Sequence, residues 1–394
     1  MDRFGDKICC NPTVKLKKQE SYPVIDIDKI TPGYKAVRSV ASIEYTGQGG
    51  AKFQDHDVLF ARITPCLENG KMAIADTEGQ NGIGSTELFV FRGIDGVSDT
   101  DYVYYLLCMK HIQQLAANSM TGASGRQRAD LDFIKRIQWD FPDIEMQKKI
   151  ASVLSAYDNL IEVNNKRIKV LEQIAENLYK EWFVRFRFPG HETSGFENGI
   201  PEGWAYRRAD EVIDFNPTLK TGNQTEFTII PMEALSTNSM VLDSGCFVRQ
   251  DSISGRRSQN GDTLLAKITP CLENGKTGFV MGMPENEVLG GSTEFVVMRS
   301  KALTPHYVYC IARSYYFRQT AILSMNGADG RQRVDEDKLK SAKILQPEKT
   351  VLDHFETIVT PIFDGVYQMV QENKNLIQQR DLLLPRLMSG KLEV

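Results

Sequence analysis

The stretch IASVLSAYDNLIEVNNKRIKVLEQIAENLYKEW, residues Ile150 to Trp182, carries apolar side chains at Ile150, Leu154, Tyr157, Ile161, Ile168, Leu171, Ala175, Leu178 and Trp182. With Asn164 counted as a polar member, every step is three or four residues. A 3.5-residue period keeps one narrow stripe on one side of a helix, so the stretch reads as a coiled-coil seam. It holds neither Gly nor Pro. At about 1.5 Å per residue it extends roughly 50 Å, more than a helix inside one domain usually does. It also lies near the middle of the chain, and what flanks it on either side is repeated.

Cys10-Asn-Pro-Thr13 returns as Phe215-Asn-Pro-Thr218, and Ile63-Thr-Pro-Cys-Leu-Glu-Asn-Gly-Lys71 returns unchanged as Ile268 to Lys276. Gly84-Ser-Thr-Glu87 returns at Gly291 to Glu294, and Gly122-Ala-Ser-Gly-Arg-Gln-Arg128 as Gly327-Ala-Asp-Gly-Arg-Gln-Arg333. The offsets, 205 to 207 residues, are too long for solenoid units, so a whole domain is duplicated. The long helix is duplicated with it. A second seam runs through Phe355, Val359, Ile362, Val366, Met369, Asn373, Leu376, Arg380, Leu383 and Leu387. Pro361 is expected to break this copy into a short helix and a longer one, because Pro is tolerated at a first helical position. Two matching seams in one chain most simply pair with each other.

Within each copy, Asp57–Ile63 and Glu87–Arg92, like Thr263–Ile268 and Glu294–Met298, read as strands. Asp101–Ala117 and His306–Leu323 read as single helices, and Asn69-Gly70 and Asn274-Gly275 as turns. The class is α+β, twice. The domains are expected at 1–143 and 189–346, with helical segments at 144–188 and 347–394, and Glu192 to Trp204 as a linker.

At 394 residues the chain has room for two or three domains, and 41% apolar with 25% charged residues is ordinary for a globular protein. The net charge of −4, from 47 basic and 51 acidic residues, gives no global positive field, so any nucleic-acid site must be local. Met1 to Gly5 holds no apolar signal segment and no run approaches 18 apolar residues, which argues against secretion and membrane spanning. Seven cysteines without a Cys-x-x-Cys pair read as reduced, mostly buried thiols in a cytoplasmic protein.

Catalytic patterns are sparse. Glu68-Asn-Gly-Lys71 lacks the upstream Gly and following Ser or Thr of a phosphate loop, and the five histidines show no metal-ligand spacing. Asn11-Pro12 and Asn216-Pro217 read as turns or helix starts. No catalytic residue, metal or bound cofactor is expected. What recurs is basic and polar side chains on loops: Arg126, Gln127 and Arg128, and Arg331, Gln332 and Arg333. Arg suits guanine edges or phosphate, and Gln suits adenine. The competing reading is that these arginines tie their turns to carboxylates such as Asp130 or Asp335. Lys71 and Lys276, after Asn-Gly turns, suit phosphate. Identical loops fit a scaffold better than base reading, since halves that read different bases should differ where they read. The divergent segments, Gly33 to Phe53 and Asn223 to Arg257 with Arg249, Arg256 and Arg257, are the better places for discrimination.

Three features resemble the specificity (S) subunit of type I restriction-modification systems. The stretch from Asn165 to Phe183 looks like that family's central helix, and Leu382-Leu-Leu-Pro-Arg-Leu-Met-Ser-Gly-Lys391 like its C-terminal one. Each Gly-x-x-Gly-Arg-Gln-Arg loop, running on to Pro142 or Pro347, looks like the end of a target-recognition domain. One departure is the abrupt start at Phe4-Gly5-Asp6, without the Pro-Glu-Gly-Trp lead-in of Pro201 to Trp204. The resemblance implies two α+β target-recognition domains separated and joined by two long antiparallel coiled-coil helices. It implies a non-catalytic reader of double-stranded DNA with a split target, the helices docking two methyltransferase (M) subunits. S-adenosylmethionine, ATP and Mg would sit on those and on restriction/translocase (R) subunits. Duplication supplies a pseudo-two-fold axis for identical partners. A tandem-domain protein–protein scaffold without DNA binding is the alternative.

Overall fold

The computed structural model describes residues 1–123, 125–328 and 330–394. Packing divides the chain into two units, Met1–Val163 with Asn373–Val394, and Asn164–Glu372. Each unit therefore contains one globular domain and a piece of both long helices.

The central helix runs Ile144–Tyr179 and continues as a π-turn over Lys180–Val184. It begins six residues before the seam because Asp143 caps it, its carboxylate accepting from Met146 N at 2.9 Å. The C-terminal helix runs Lys349–Met388 without interruption. Pro361 does not break it. The carbonyl that Pro361 leaves without a helical donor belongs to exposed Thr357 and is open to water, while Phe355, Val359, Phe363 and Val366 are fully buried on the other side. Burial of that face outweighs the lost bond.

In the first unit, buried Ile150 and Leu154 share a core with Leu384, Leu387 and Met388, with Leu383 at its margin. Ile161 is buried, and Tyr157 and Leu376 are half-buried. Asp158 accepts from Arg380 at 2.5 Å and from the Tyr105 hydroxyl at 2.5 Å. In the second unit, Ile168, Ala175 and Trp182 are buried with Phe355, Val359 and Val366, and Leu171, Leu178, Ile362 and Met369 pack at the edge. Phe363, not Ile362, is the fully buried member there. Asn164 donates to Glu372 at 3.0 Å, and the Trp182 and Phe355 rings lie 5.9 Å apart. In both units one partner's residue number falls as the other's rises, so the helix segments are antiparallel.

The first globular domain has a five-stranded sheet in the order Ile8–Cys10, Leu88–Gly93, Val58–Ala61, Met72–Asp76, Ala36–Arg38. Beside it lies a four-stranded sheet in the order Ser42–Glu44, Ser21–Ile25, Gly82–Gly84, Ala51–Phe53. The second domain repeats the larger sheet with Ile213–Phe215, Phe295–Ser300, Thr263–Ala266 and Thr277–Phe279. Its smaller sheet is ordered Val248–Gln250, Phe227–Ile230, Leu289–Gly291, Arg256–Ser258. The fifth strand of the first domain is represented in the second by a single parallel bridge, Val241 to Phe279.

Each expected single helix is two. Thr100–Cys108 and Lys110–Asn118 meet at extended Met109, and Pro305–Arg313 and Tyr315–Leu323 meet at extended Ser314. The Ser314 hydroxyl accepts from Phe317 N at 3.3 Å and starts a new helix. The segment expected as a linker is structured. Phe196–Glu197 pairs with Ile200–Pro201, and buried Trp204 packs against Phe183 and Phe188. The seven cysteines are unbridged, but only Cys310 is fully buried.

A polar mount joins the first domain to the central helix. Lys35 Nζ donates to Ser155 Oγ at 2.6 Å and lies 2.6 Å from Asp101 Oδ1, while His56 Nε2 lies 3.3 Å from the other Asp101 oxygen. Burial pushes the Asp101 carboxyl up, but the His56 and Lys35 contacts prevail and hold it down at about 2. Fully buried Gln147 completes the mount, donating to Pro142 and Val97 carbonyls at 2.8 and 3.1 Å.

Candidate nucleic-acid interface

Three of the four repeated motifs meet in space within each unit, and the fourth ends an edge strand of the larger sheet. Asn11 and Asn216 have φ of 50° and 52° and form the turn that ends an edge strand. The Asn11 backbone N–H donates to Val90 O at 2.7 Å and its side chain accepts from Val90 N at 2.9 Å. Asn216 makes the same pair with Val297 at 2.8 and 3.0 Å. These are turns, not helix starts.

Arg128 bridges both Ile63 and Thr121, closing the arginine loop into a hairpin, and Thr64 N donates to Gln127 O at 3.0 Å. The Arg128 guanidinium grips Glu87, the last residue of the Gly-Ser-Thr-Glu motif, at 2.9 and 2.6 Å. Arg62 joins the same carboxylate at 3.3 Å. The second unit repeats this knot, with Thr269 N on Gln332 O at 3.1 Å and Arg333 on Glu294 at 2.9 and 2.7 Å. Hydrogen bonds from Arg128 and Arg333 hold the Glu87 and Glu294 carboxyls below their usual range. The tie to carboxylates therefore holds for Arg128 and Arg333. The partners are Glu87 and Glu294 rather than Asp130 and Asp335, which cap the following helices by accepting from Asp132 N and Asp337 N.

Identity between the loops follows from this geometry, since three of the four repeated motifs each supply one side of the knot. Each arginine loop presents one further cation. Arg126 and Arg331 are exposed and have no ion-pair partner among the described residues. Gln127 and Gln332 are half-buried. The motif residues Ser124 and Asp329 lie outside the described residues.

The other candidates divide. Lys71 and Lys276 are half-buried and donate to the carbonyls of Ile27 and Met232 at 2.9 and 3.1 Å, each pinning a loop of its own domain. Arg256, with Lys267, pairs with Glu336 at 2.7 Å, and Arg257 donates to Leu219 O at 2.5 Å. Arg249, 60% exposed and 3.6 Å from Glu287, projects from the outer strand of its sheet. Among the described residues, no three His, Cys, Asp or Glu side chains gather as a metal site would require.

The anchoring role of Glu87 and Glu294 escaped the sequence reading. The signal was present: a Glu repeated alongside a repeated Arg is a candidate ion pair.

The family model of the type I restriction modification DNA specificity domain matches residues 8–173. The MjaVIII specificity subunit of Methanocaldococcus jannaschii, a type I restriction enzyme subunit, is 23% identical across 100% of this chain and 92% of its own length. The MjaIX specificity subunit of the same organism is 25% identical, covering 77% of this chain and 72% of its own. The solved structure of the type I restriction-modification system S subunit from M. genitalium shares the fold over 98% of this chain and 94% of its own, at 14% identity and a TM-score of 0.55. A family model matches the first repeat, relatives are matched along the chain's length, and the fold is shared, so the chain is similar from end to end to type I restriction-modification specificity subunits.

Proposed function

We propose that this chain is the non-catalytic DNA reader of a type I restriction-modification complex, each unit carrying one target-recognition domain for one half of a split double-stranded target. One observation carries the reading: both units build the same knot from the same motifs, present one exposed arginine from it, and differ in the strands of the smaller sheet nearby. A duplicated frame with unlike edges is what two readers of unlike half-sites require. Two methyltransferase subunits would dock on the helix pair and supply S-adenosylmethionine chemistry. Restriction/translocase subunits with ATP and Mg would complete the complex in the cytoplasm. Among the described residues no helix is long and apolar enough to cross a membrane. The test is to express the gene with and without its methyltransferase partner and map modified bases across the genome. A two-part methylated motif that depends on this gene is expected, and an unchanged methylome refutes the reading.

A further inference from the structure

The smaller sheets superimpose by register, not by sequence. In the first unit Val24 pairs with Ile83 and Ile25 with Gly84, and in the second Ile229 pairs with Gly290 and Ile230 with Gly291. Gly84 and Gly291 are the same residue of the repeated Gly-Ser-Thr-Glu motif. The inner strands therefore align Tyr22 with Phe227, Val24 with Ile229 and Ile25 with Ile230, keeping their character. The outer strand then follows. Tyr22 opposes Ile43 where Phe227 opposes Gln250, and Pro23 opposes Ser42 where Thr228 opposes Arg249. Val24 N donates to Ala41 O at 2.9 Å in the place where Ile229 opposes Val248.

Ala41, Ser42 and Ile43 thus occupy the positions of Val248, Arg249 and Gln250. All six are exposed, and no pair is alike in chemistry except Ala41 and Val248. Both triplets lie on the outer edge of their sheet. Proteins usually blunt such an edge with charge or Pro. Ala41-Ser42-Ile43 carries neither, the strand's one charge being exposed Glu44 at its far end, and the preceding Val40 is 84% exposed while Val248 is 49%.

We propose that these two edge strands are the base-reading elements of the two domains, each laid in the major groove of duplex DNA. The inference rests on the DNA-reading role proposed above. Three residues at about 3.3 Å each span about three base pairs at ~3.4 Å. Successive strand residues point to opposite faces, so one face offers Ser42 or Arg249, the latter suited to guanine, and the other offers Ala41 with Ile43 or Val248 with Gln250, suited to the thymine methyl and to adenine. Cations flank the strands as phosphate contacts would need. Lys17, 83% exposed and 3.5 Å from the exposed Glu20 carboxylate, is held beside the Tyr22–Ile43 pair by its backbone N–H on Tyr22 Oη at 3.0 Å, and Lys52 lies over the Tyr45 ring that follows the strand. Arg249 supplies its own charge in the second domain.

The test uses the full chain expressed with its methyltransferase partner subunits, reading the methylated motif by sequencing modified bases. The triple variant A41V/S42R/I43Q gives the first strand the residues of the second. It is expected to change up to three adjacent positions of one half-site while leaving the other half-site and the gap unaltered. The single truncations Ile43→Ala and Arg249→Ala remove exposed side chains that support no core. Each is expected to relax one position, by about fivefold to a hundredfold in preference. They decide the matter if the triple variant loses methylation altogether. Variants that keep the parental motif overturn the strand assignment while leaving the DNA-reading role standing. Loss of methylation accompanied by loss of methyltransferase-subunit binding, with duplex affinity kept, also overturns it, and would make the edge a protein-docking strand. A wild-type chain that directs no motif sinks both.

Discussion

Replacing Arg380 by Met should be among the most damaging single changes available outside the aromatic core. Asp158 has a side chain 4% exposed and Arg380 one 11% exposed, and the pair meets at 2.5 Å. Without the guanidinium, the Asp158 carboxylate keeps, among the described residues, the Tyr105 hydroxyl at 2.5 Å and stays out of water. Stranding a buried charge costs about 3–5 kcal/mol. The surface pair Arg128–Glu87 is the natural comparison, because its geometry is as good but the arginine is 46% exposed. Water replaces such a partner, and the expected cost of Arg128→Ala is about 0–1 kcal/mol. The double variant D158N/R380M removes both charges and should recover much of the loss, since replacing a whole buried pair is far cheaper than breaking it. Native-state hydrogen exchange of amides in 144–163 and 373–388 is the assay, because it reads opening of the first unit without assuming that the whole chain unfolds at once. Two results would refute the reasoning: a cost for Arg380→Met below about 1 kcal/mol, or a double variant as damaged as the single.

Three further outcomes are expected. Arg126→Ala or Arg331→Ala should weaken duplex binding by the assembled complex and lower the slope of log affinity against log salt by about one each, measured by titration at several salt concentrations. His56 should titrate above its ordinary value by NMR, because its hydrogen bond to Asp101 favours the protonated ring more than burial opposes it. Its stabilisation is thus present below the ordinary value, is lost as pH rises through the raised one, and should vanish in Asp101→Asn. Gly282→Ala should destabilise the second unit by roughly 2–4 kcal/mol in urea melts, with Tyr367→Ala partly restoring it. At φ +70° a Cβ there would lie 2.0 Å from the Tyr367 oxygen.

The duplicated α+β class and the two seams were legible because burial along a long helix imposes a period that nothing else in a sequence mimics. Where the seam failed, competing terms decided. Phe363 replaced Ile362 because stepping by three and four leaves a one-residue choice at each turn, and the larger ring took the buried site. Pro361 stayed helical because its penalty fell on the wet side. Met109 and Ser314 break helices that periodicity joined, since a cap or an extended residue between two apolar faces leaves the spacing almost unchanged. At the candidate site the loops were legible as a repeat, but the carboxylates gripping Arg128 and Arg333 stand 41 and 39 residues upstream and needed the fold to bring them together. The match of Ala41–Ile43 to Val248–Gln250 was invisible, because nothing in those six residues is shared and only backbone pairing sets them side by side.

The first unit is built from both ends of the chain, Met1–Val163 and Asn373–Val394. Order of synthesis then matters. Ile150, Leu154 and Ile161 leave the ribosome long before Leu384, Leu387 and Met388, with residues 164–372 made in between. At 5–20 residues per second that interval is about 10–40 s. Throughout it, half of an apolar seam has no mate from its own chain, while collapse and helix formation are complete in far under a second. The nascent protein is therefore sticky for a defined period, along a defined stripe. A chain stalled or cut anywhere after Trp182 and before Asn373 would expose that stripe permanently. Damage at the far end should thus appear as aggregation through the first domain's helix, and a truncation that spares every residue of the first globular domain should still cost that domain its solubility.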